Sequence, residues 1–169
     1  MEHEIEHRPS SALLTVELGQ SEEIQAGAMG SHTDGIAIET GTQGGIVDSL
    51  KRTAFGRESF FMNTFSAERP GHITITPPLP GDEVDKDLQN ERLLVQSGSF
   101  LAAEAAIDID TKFGGGRTFF GGEGLVCEFQ GEGAVWLQTR STDALLSWLI
   151  PNLLSNGSGD NDSGLSIDF

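Results

Sequence analysis

The chain repeats a stretch of its own sequence at a nearly constant interval, and this constrains its fold more than any single motif does. Residues 27–29 and 36–40 are matched by residues 98–100 and 107–111, each lying 71 positions further along. Self-similarity at a fixed interval is typical of folds built from copies of one supersecondary unit that pack against each other. The repeat therefore predicts two copies of one β unit.

Two charged pairs fall into equivalent positions of the two copies. Beyond the glycines that follow the first match, the interval shortens to 65 residues, so that Arg52 and Glu58 correspond to Arg117 and Glu123. Each pair brackets a Thr-x-Phe-Gly segment, and an ion pair or a capped turn at equivalent corners is the structural interpretation. The functional alternative is a contact at a repeat or subunit boundary, because repeated corners meet when units assemble about an axis. We take these four residues as candidate interface residues.

Alternation and turn residues predict that both copies are made of strands. Residues 14–18 alternate apolar and polar side chains, and residues 73–76 form a short half-buried strand that ends at two prolines. Residues 93–95 and 135–137 are apolar runs and predict more fully buried strands. Strands at intervals of about 8–12 residues with glycine and proline turns indicate an all-β sandwich or barrel.

One helix is predicted, near the end of the chain. Residues 141–143 offer capping oxygens for a helix over residues 144–150, which Pro151 is expected to end. This helix is apolar almost all round, so the β body or another subunit is expected to cover it. It is too short to cross a bilayer core about 30 Å thick. Arg140, at the junction between strand and helix, and Trp148 complete the candidate interface residues.

These features divide the chain into five parts. The predicted organisation is an N-terminal segment (1–9), a first β unit (10–80), a second β unit (81–140), the helix (141–154) and a flexible polar tail (155–169). No signal peptide or membrane span is expected in the sequence.

The charge of the chain bears on its partners and its environment. There are 26 acidic and 10 basic residues, for a formal net charge of −16, and only three are lysines. Such a surface argues against binding to nucleic acid or to anionic membrane, which depends on clustered cations. It also predicts the cytoplasm of a halophilic prokaryote, with an acidic protein of an ordinary cytoplasm as the alternative. In molar salt the Debye length is about 3 Å, so net charge then restricts partners little.

No group of residues in the sequence predicts catalysis, and neither a metal nor a cofactor is expected. His3 and His7 would share one face of a helix beside several glutamates, which makes a zinc or nickel site conceivable. A solvated terminus or an edge strand is the favoured interpretation of that segment. The single cysteine, Cys127, has no partner for an internal disulfide and is predicted to lie in the core.

Five longer segments carry a resemblance to a known family. They resemble the altered-inheritance-of-mitochondria 24 family, also called mitochondrial biogenesis proteins, and the likeness covers most of residues 3–151. The resemblance implies a fold similar to that of the tryptophan RNA-binding attenuator protein, a short double-stranded β-helix of repeated units that assembles into rings, often trimers. Eukaryotic members are associated with organisation of the mitochondrial inner membrane, and for prokaryotic members the resemblance implies no activity. The segments are residues 57–61, 77–82, 95–102, 122–126 and 135–141.

This chain departs from the family pattern, because one repeat is missing from its middle. A ring closed by a fixed number of units then has a different stoichiometry or fails to close. Binding of tryptophan or RNA does not transfer from the fold relative, since fold alone does not carry function. The leading prediction is a non-enzymatic, homo-oligomeric β scaffold or binding protein. The alternative is a small-molecule or peptide ligand held between the repeated β units.

Overall fold

A computed structural model of the protein describes residues 1–40, 62–113 and 125–156. Within these ranges it contains eleven strands and one α-helix, so the predicted all-β class with one short helix is confirmed in its coarse form. Ser97–Ser99 form a short 3-10 turn. The elements are β1 (His3–Glu6), β2 (Leu13–Leu18), β3 (Glu23–Ala26), β4 (Ser31–His32), β5 (Ile36–Thr40), β6 (Asn63–Ala67), β7 (Gly71–Ile75), β8 (Glu83–Gln96), β9 (Phe100–Glu104), β10 (Asp108–Phe113), β11 (Leu125–Gln138) and α1 (Thr142–Asn156).

The strands form two antiparallel sheets. The smaller sheet has the order β1-β2-β7-β4, with Val16 of β2 opposite Ile73 of β7. The larger sheet has the order β10-β11-β9-β3-β6-β5, and β8 adds to it by pairing with β11. Strands β3 and β9 pair directly, with Gln25 opposite Ala103, so the larger sheet joins the two predicted β units.

The alternation in β2 has the predicted effect on burial. Leu14, Val16 and Leu18 are buried, whereas Thr15 is half-buried and Glu17 is exposed. Successive side chains of a strand point to opposite faces, so the three apolar side chains lie on one face and enter the core together.

The main core lies between the two sheets. Apolar side chains of β2 and β7 pack there against apolar side chains of the larger sheet. Burial of this area from water is the chief stabilising contribution. The largest fully buried members are Leu14, Leu18, Ile24, Phe65, Ile73, Ile75, Leu101 and Trp136.

A second core cluster forms where β8, β9, β10 and β11 meet. Phe100 and Phe129 stack in it with ring centroids 5.3 Å apart, and Cys127 is fully buried beside them, as predicted. The prediction that residues 93–95 form a fully buried strand is wrong, because Leu94 is 52% exposed. The reason is the alternation of side chains along a strand: Leu93 and Val95 pack against this cluster, so Leu94 points to the opposite, exposed face of β8.

Strands β8 and β11 form a ribbon of 14 residues on each side that bends near its middle. The register shifts between Gln130 and Glu132, and Asn90 on the opposite strand has a φ of 61°. Gly131 and Gly133 both have a φ of 143°, a backbone conformation that side-chain-bearing residues rarely adopt. The glycines therefore permit the bend that keeps this ribbon wrapped on the core.

The helix continues past the residue that was expected to end it. Pro151 lies inside α1, which runs for 15 residues to Asn156, so the predicted end at Pro151 is wrong. Proline removes one backbone donor, a cost that a helix can absorb when neighbouring groups compensate. Nearby, the side-chain amide of Asn152 donates to the carbonyl oxygen of Trp148 at 2.6 Å, a bond that adds to this turn of the helix but does not replace the donor that Pro151 lacks.

Candidate functional site: the groove at the base of the helix

Three segments distant in sequence meet at the base of α1. The backbone N–H of Thr139 donates to the carbonyl oxygen of Asp82 at 2.9 Å, and the N–H of Asp82 donates to Oγ1 of Thr139 at 2.9 Å. The N–H of Ala12 donates to the carbonyl oxygen of Gly81 at 3.0 Å. The loop before β8 is thus tied both to the end of β11 and to the loop before β2. We call this meeting point, residues 8–12, 79–83 and 138–141, the junction.

An ion pair closes the outer side of the junction. The guanidinium of Arg8 donates to both carboxylate oxygens of Asp82, at 2.8 Å and 3.2 Å. This charge-assisted pair lowers the pKa of Asp82 and raises that of Arg8. Oδ1 of Asp82 also accepts from the N–H of Glu83 at 2.9 Å. The pair is exposed, so it positions the loop rather than adding much stability.

A groove of about 700 Å³ lies between the junction and α1. Arg140 is its charged residue, and a Cβ at Gly81 would lie 2.7 Å from Cγ of Arg140, so glycine is what lets the arginine stem lie close to the loop. No acidic residue is among the described residues that line it, in a chain that carries 26 acidic residues. The lining consists of Leu79, Pro80, Thr139, Arg140, Ser141, Leu145 and Trp148.

The helix presents large apolar side chains to solvent. Trp148 is 64% exposed and Leu153 is 63% exposed, and Leu145, Leu146 and Ile150 are also exposed. The prediction that the β body covers this helix therefore fails for these residues, and cover by another subunit is the alternative that stays open. An exposed apolar surface of this kind is typical of a contact site.

A buried acidic residue lies on the inner side of the junction. Glu83 is fully buried, and neither of its carboxylate oxygens has a hydrogen-bond partner among the described residues. Burial, with the nearby charge of Asp82, raises its pKa to about 7, and Arg8 opposes this shift. Nε1 of Trp136 and Oε1 of Gln138 are likewise buried without a partner in the described part of the chain.

Of the six candidate interface residues, the structure places two together. Arg140 and Trp148 line the same groove. The other four, Arg52, Glu58, Arg117 and Glu123, lie outside the described residues.

The two histidines near the N-terminus do not lie on one face of a helix. His3 belongs to β1, the edge strand of the smaller sheet, so the favoured edge-strand interpretation is confirmed and the helical spacing does not apply. The ring of His3 lies edge-on to Trp136, with centroids 5.3 Å apart, while His7 follows the strand with a φ of 56°. Within residues 1–40, 62–113 and 125–156, no three His, Cys, Asp or Glu side chains are grouped so that they could hold a metal.

Sequence reasoning missed Arg8, Asp82 and Glu83. Arg8 and Asp82 are 74 positions apart, and neither belongs to the repeat or to an apolar pattern. The one available signal was the Pro-Gly-Asp turn at residues 80–82, which lies in one of the segments that carry the family resemblance.

Together these observations define an all-β protein with an exposed apolar helix set on a polar junction. No helix of the described residues is both long enough and apolar enough to cross a membrane. The sequence profile of the family described as mitochondrial biogenesis AIM24 matches residues 3–124 and 114–140. The chain belongs to this family, as its sequence motifs indicated.

Two relatives are both from Streptococcus pyogenes. An uncharacterised protein of the serotype M6 strain is 25% identical over 135 residues, which is 76% of this chain and 54% of that protein. A crystal structure of a protein from the same species has a TM-score of 0.65 at 20% identity and covers 81% of this chain and 63% of that one. The second likeness supports the fold alone. The chain thus spans only about half the length of the curated relative it matches.

Proposed function

We propose that this protein is a non-enzymatic β scaffold that assembles with further copies of itself through α1. The observation that carries the proposal is the exposure of Trp148 and Leu153 on a helix whose apolar side chains also include Leu146 and Ile150. Leaving such side chains in water forgoes on the order of 1.5–3 kcal/mol for each large one that a partner would bury. Oligomers of soluble proteins are mostly symmetric copies of one chain, so a second copy is the partner we propose.

The repeat provides the units for a closed assembly, a trimer or ring of short double-stranded β-helix units. Each proposed unit contains an antiparallel pair in which an isoleucine faces a phenylalanine: Ile38 opposite Phe65, and Ile109 opposite Phe129. The family match is also divided, because its second segment restarts at residue 114, inside the first. This break supports the view that one repeat is missing from the middle of the chain. A missing repeat would in turn change the number of chains in the assembly.

The proposed setting is the cytoplasm of a halophilic prokaryote. The support is the charge of −16 with three lysines. In concentrated salt this charge is screened over a few ångströms, so acidic copies can approach each other and bury α1. In dilute buffer the same charge opposes assembly.

The test is light scattering after size exclusion, in molar potassium chloride and again in dilute buffer. We expect a trimer or larger ring in high salt that dissociates when the salt is removed. The double variant Trp148→Gln, Leu153→Gln should be monomeric in both buffers. The control is Leu94→Gln, which removes from β8 another exposed apolar side chain, 52% exposed, and should assemble like the unaltered protein. A monomer in high salt, or equal dissociation of the control, would refute assembly through α1.

A second candidate function is binding of a small molecule or peptide in the groove, where the ends of the two proposed units meet. The supporting observation is that Arg140 lies in a mostly apolar groove without an acidic lining residue. Such a site suits a ligand with an apolar body and one anionic group. The dye 8-anilinonaphthalene-1-sulfonate has this chemistry and serves as the probe. We expect Arg140→Gln to weaken its binding and Arg92→Gln, an exposed arginine of β8, to leave it unchanged. Equal binding by both variants would rule out a role for Arg140.

A further inference from the structure

Three buried polar side chains at one end of the β8–β11 ribbon each carry at least one atom without a hydrogen-bond partner among the described residues. Glu83 begins β8 and lies directly opposite Gln138, which ends β11, so the two side chains share a face of the sheet. Trp136 lies two positions before Gln138 and therefore on that same face. Between them they hold four side-chain atoms with no hydrogen-bond partner in the described ranges: both carboxylate oxygens of Glu83, Oε1 of Gln138 and Nε1 of Trp136.

The cluster has fewer hydrogen-bond donors than acceptors when Glu83 is ionised. The amide nitrogen of Gln138 already donates to the carbonyl oxygen of Gly98 at 2.6 Å, so its oxygen is an acceptor in need of a donor. Both oxygens of an ionised Glu83 are acceptors as well, and Nε1–H of Trp136 is a donor only. With Glu83 ionised there are three acceptors and one donor. A proton on Glu83 supplies a second donor, which can satisfy Gln138, directly or through one buried water.

The charges around Glu83 also favour the proton. Asp82 is adjacent in the chain and its negative charge favours the proton, whereas Asp85, which pairs opposite Trp136, is exposed to solvent. Arg8 is the cation nearest on the other side, but it is engaged in its pair with Asp82. Among the described residues, His3 is a titratable group in contact with the cluster, because its ring lies edge-on to Trp136. Burial dominates the balance and raises the pKa of Glu83 to about 7, against an ordinary value of 4.5.

We propose that Glu83 makes a proton-dependent contact that closes the junction. When Glu83 is protonated, it donates to Gln138 and holds the start of β8 against the end of β11. When Glu83 is ionised, it releases these two strand ends. Gln138 is followed directly by the segment that leads into α1, so the release loosens the base of the helix and the wall of the groove. The proposal concerns the single chain and does not depend on assembly or ligand binding.

The sign of the pH dependence follows from linkage. Between pH 4.5 and about 7 the folded protein keeps the proton on Glu83 while the unfolded chain releases it. Stability contributed by this group is therefore fully present below pH 4.5, falls as the pH rises through that window, and is constant above it. Between pH 5 and pH 8.5 the unfolding equilibrium constant should rise on the order of 10²-fold through this group alone.

The experiment compares urea unfolding of the full chain and of Glu83→Gln across this pH range, at fixed protein and potassium chloride concentrations. Glutamine keeps the shape and carries a donor that cannot ionise. We expect the ratio of the two unfolding constants to change by about the same 10²-fold, in favour of the variant at high pH. The matched control, Glu132→Gln, removes an exposed carboxylate from the same ribbon and should show a constant ratio. A constant ratio for Glu83→Gln as well would overturn the proposal.

A second measurement keeps the proposal testable if Glu83→Gln does not fold. The chain has two tryptophans, so Trp148→Phe leaves Trp136 as the one fluorescent reporter at the cluster. We expect its emission to shift to longer wavelength with a midpoint near pH 7, and the same midpoint after His3→Phe is added. No shift between pH 5 and pH 9, or a shift that disappears with His3→Phe, would refute the assignment to Glu83.

Discussion

Alanine at Gly131 should destabilise the protein more than alanine at Gly133, although the two glycines have the same backbone conformation. Both have a φ of 143°, so each substitution introduces strain of about 1–3 kcal/mol. They differ in what the new methyl group meets. At Gly131 the added Cβ would lie 2.7 Å from the backbone carbonyl oxygen of Ala106 and 3.3 Å from Cα of Ile107. At Gly133 it would lie 2.6 Å from the end of the Glu104 side chain.

The difference in surroundings sets the magnitudes. Ala106 and Ile107 belong to the turn between β9 and β10, where the N–H of Ile107 donates to the carbonyl oxygen of Glu104, so the clash at Gly131 can be relieved only by moving backbone. Overpacking of this kind adds about 1–3 kcal/mol to the strain, for a total of about 2–6 kcal/mol. The Glu104 side chain can rotate away from Gly133, so the cost there is the strain together with the loss of the Glu104 contact with the N-terminal amine.

The assay is urea unfolding at fixed salt and protein concentration, with the free energy of unfolding compared among the two variants and the unaltered protein. We expect Gly131→Ala to lose at least about 1 kcal/mol more than Gly133→Ala. Equal losses, or a larger loss at Gly133, would refute the argument that the close approach of the turn requires glycine at 131.

Two further predictions concern the two core clusters. Burial raises the pKa of Cys127 to about 12, so its thiol should react with a disulfide reagent at least about 100-fold more slowly in the folded protein than in urea; rapid, complete labelling of the folded protein would contradict its burial. Phe65→Ala should reduce the free energy of unfolding by about 3–5 kcal/mol, because the fully buried ring lies between Ile24 and Ile38 on the flanking strands. Ile38→Ala, at a position 41% exposed, should cost about 1 kcal/mol, and equal losses at both positions would show that Phe65 is not packed as described.

The sequence predicts most securely those features that have a local cause. The alternation at residues 14–18 predicted β2 and its inward face, because strand periodicity and burial are directly linked. The sequence predicted full burial of residues 93–95 wrongly, because an apolar run does not reveal whether one face of its strand or both faces are covered. It predicted an end at Pro151 wrongly, because the donor that a proline lacks concerns one hydrogen bond and not the whole helix.

The junction could be predicted only in part. Arg140 and Trp148 were recognisable, since one lies where a strand gives way to a helix and the other is a large apolar residue on that helix. Arg8 and Asp82 are brought together where the loop before β2 meets the loop before β8, at the hydrogen bond from Ala12 to Gly81, and a local sequence pattern does not encode this contact. Glu83 is one of 26 acidic residues in the sequence, and what distinguishes it from the other acidic residues that the structure describes is its burial.

The proposed assembly through α1 and the proposed proton on Glu83 meet at one short segment, residues 138–141. If the contact on α1 requires a closed junction, closing the junction favours assembly. By linkage, assembly then favours the closed junction by the same factor. If Glu83 closes it by taking up a proton, copies must assemble more tightly below about pH 7 than above it, and assembly must in turn raise the affinity of Glu83 for its proton. Assembly that does not depend on pH would mean that α1 meets its partner without restraining Thr139, and the two features would then act independently.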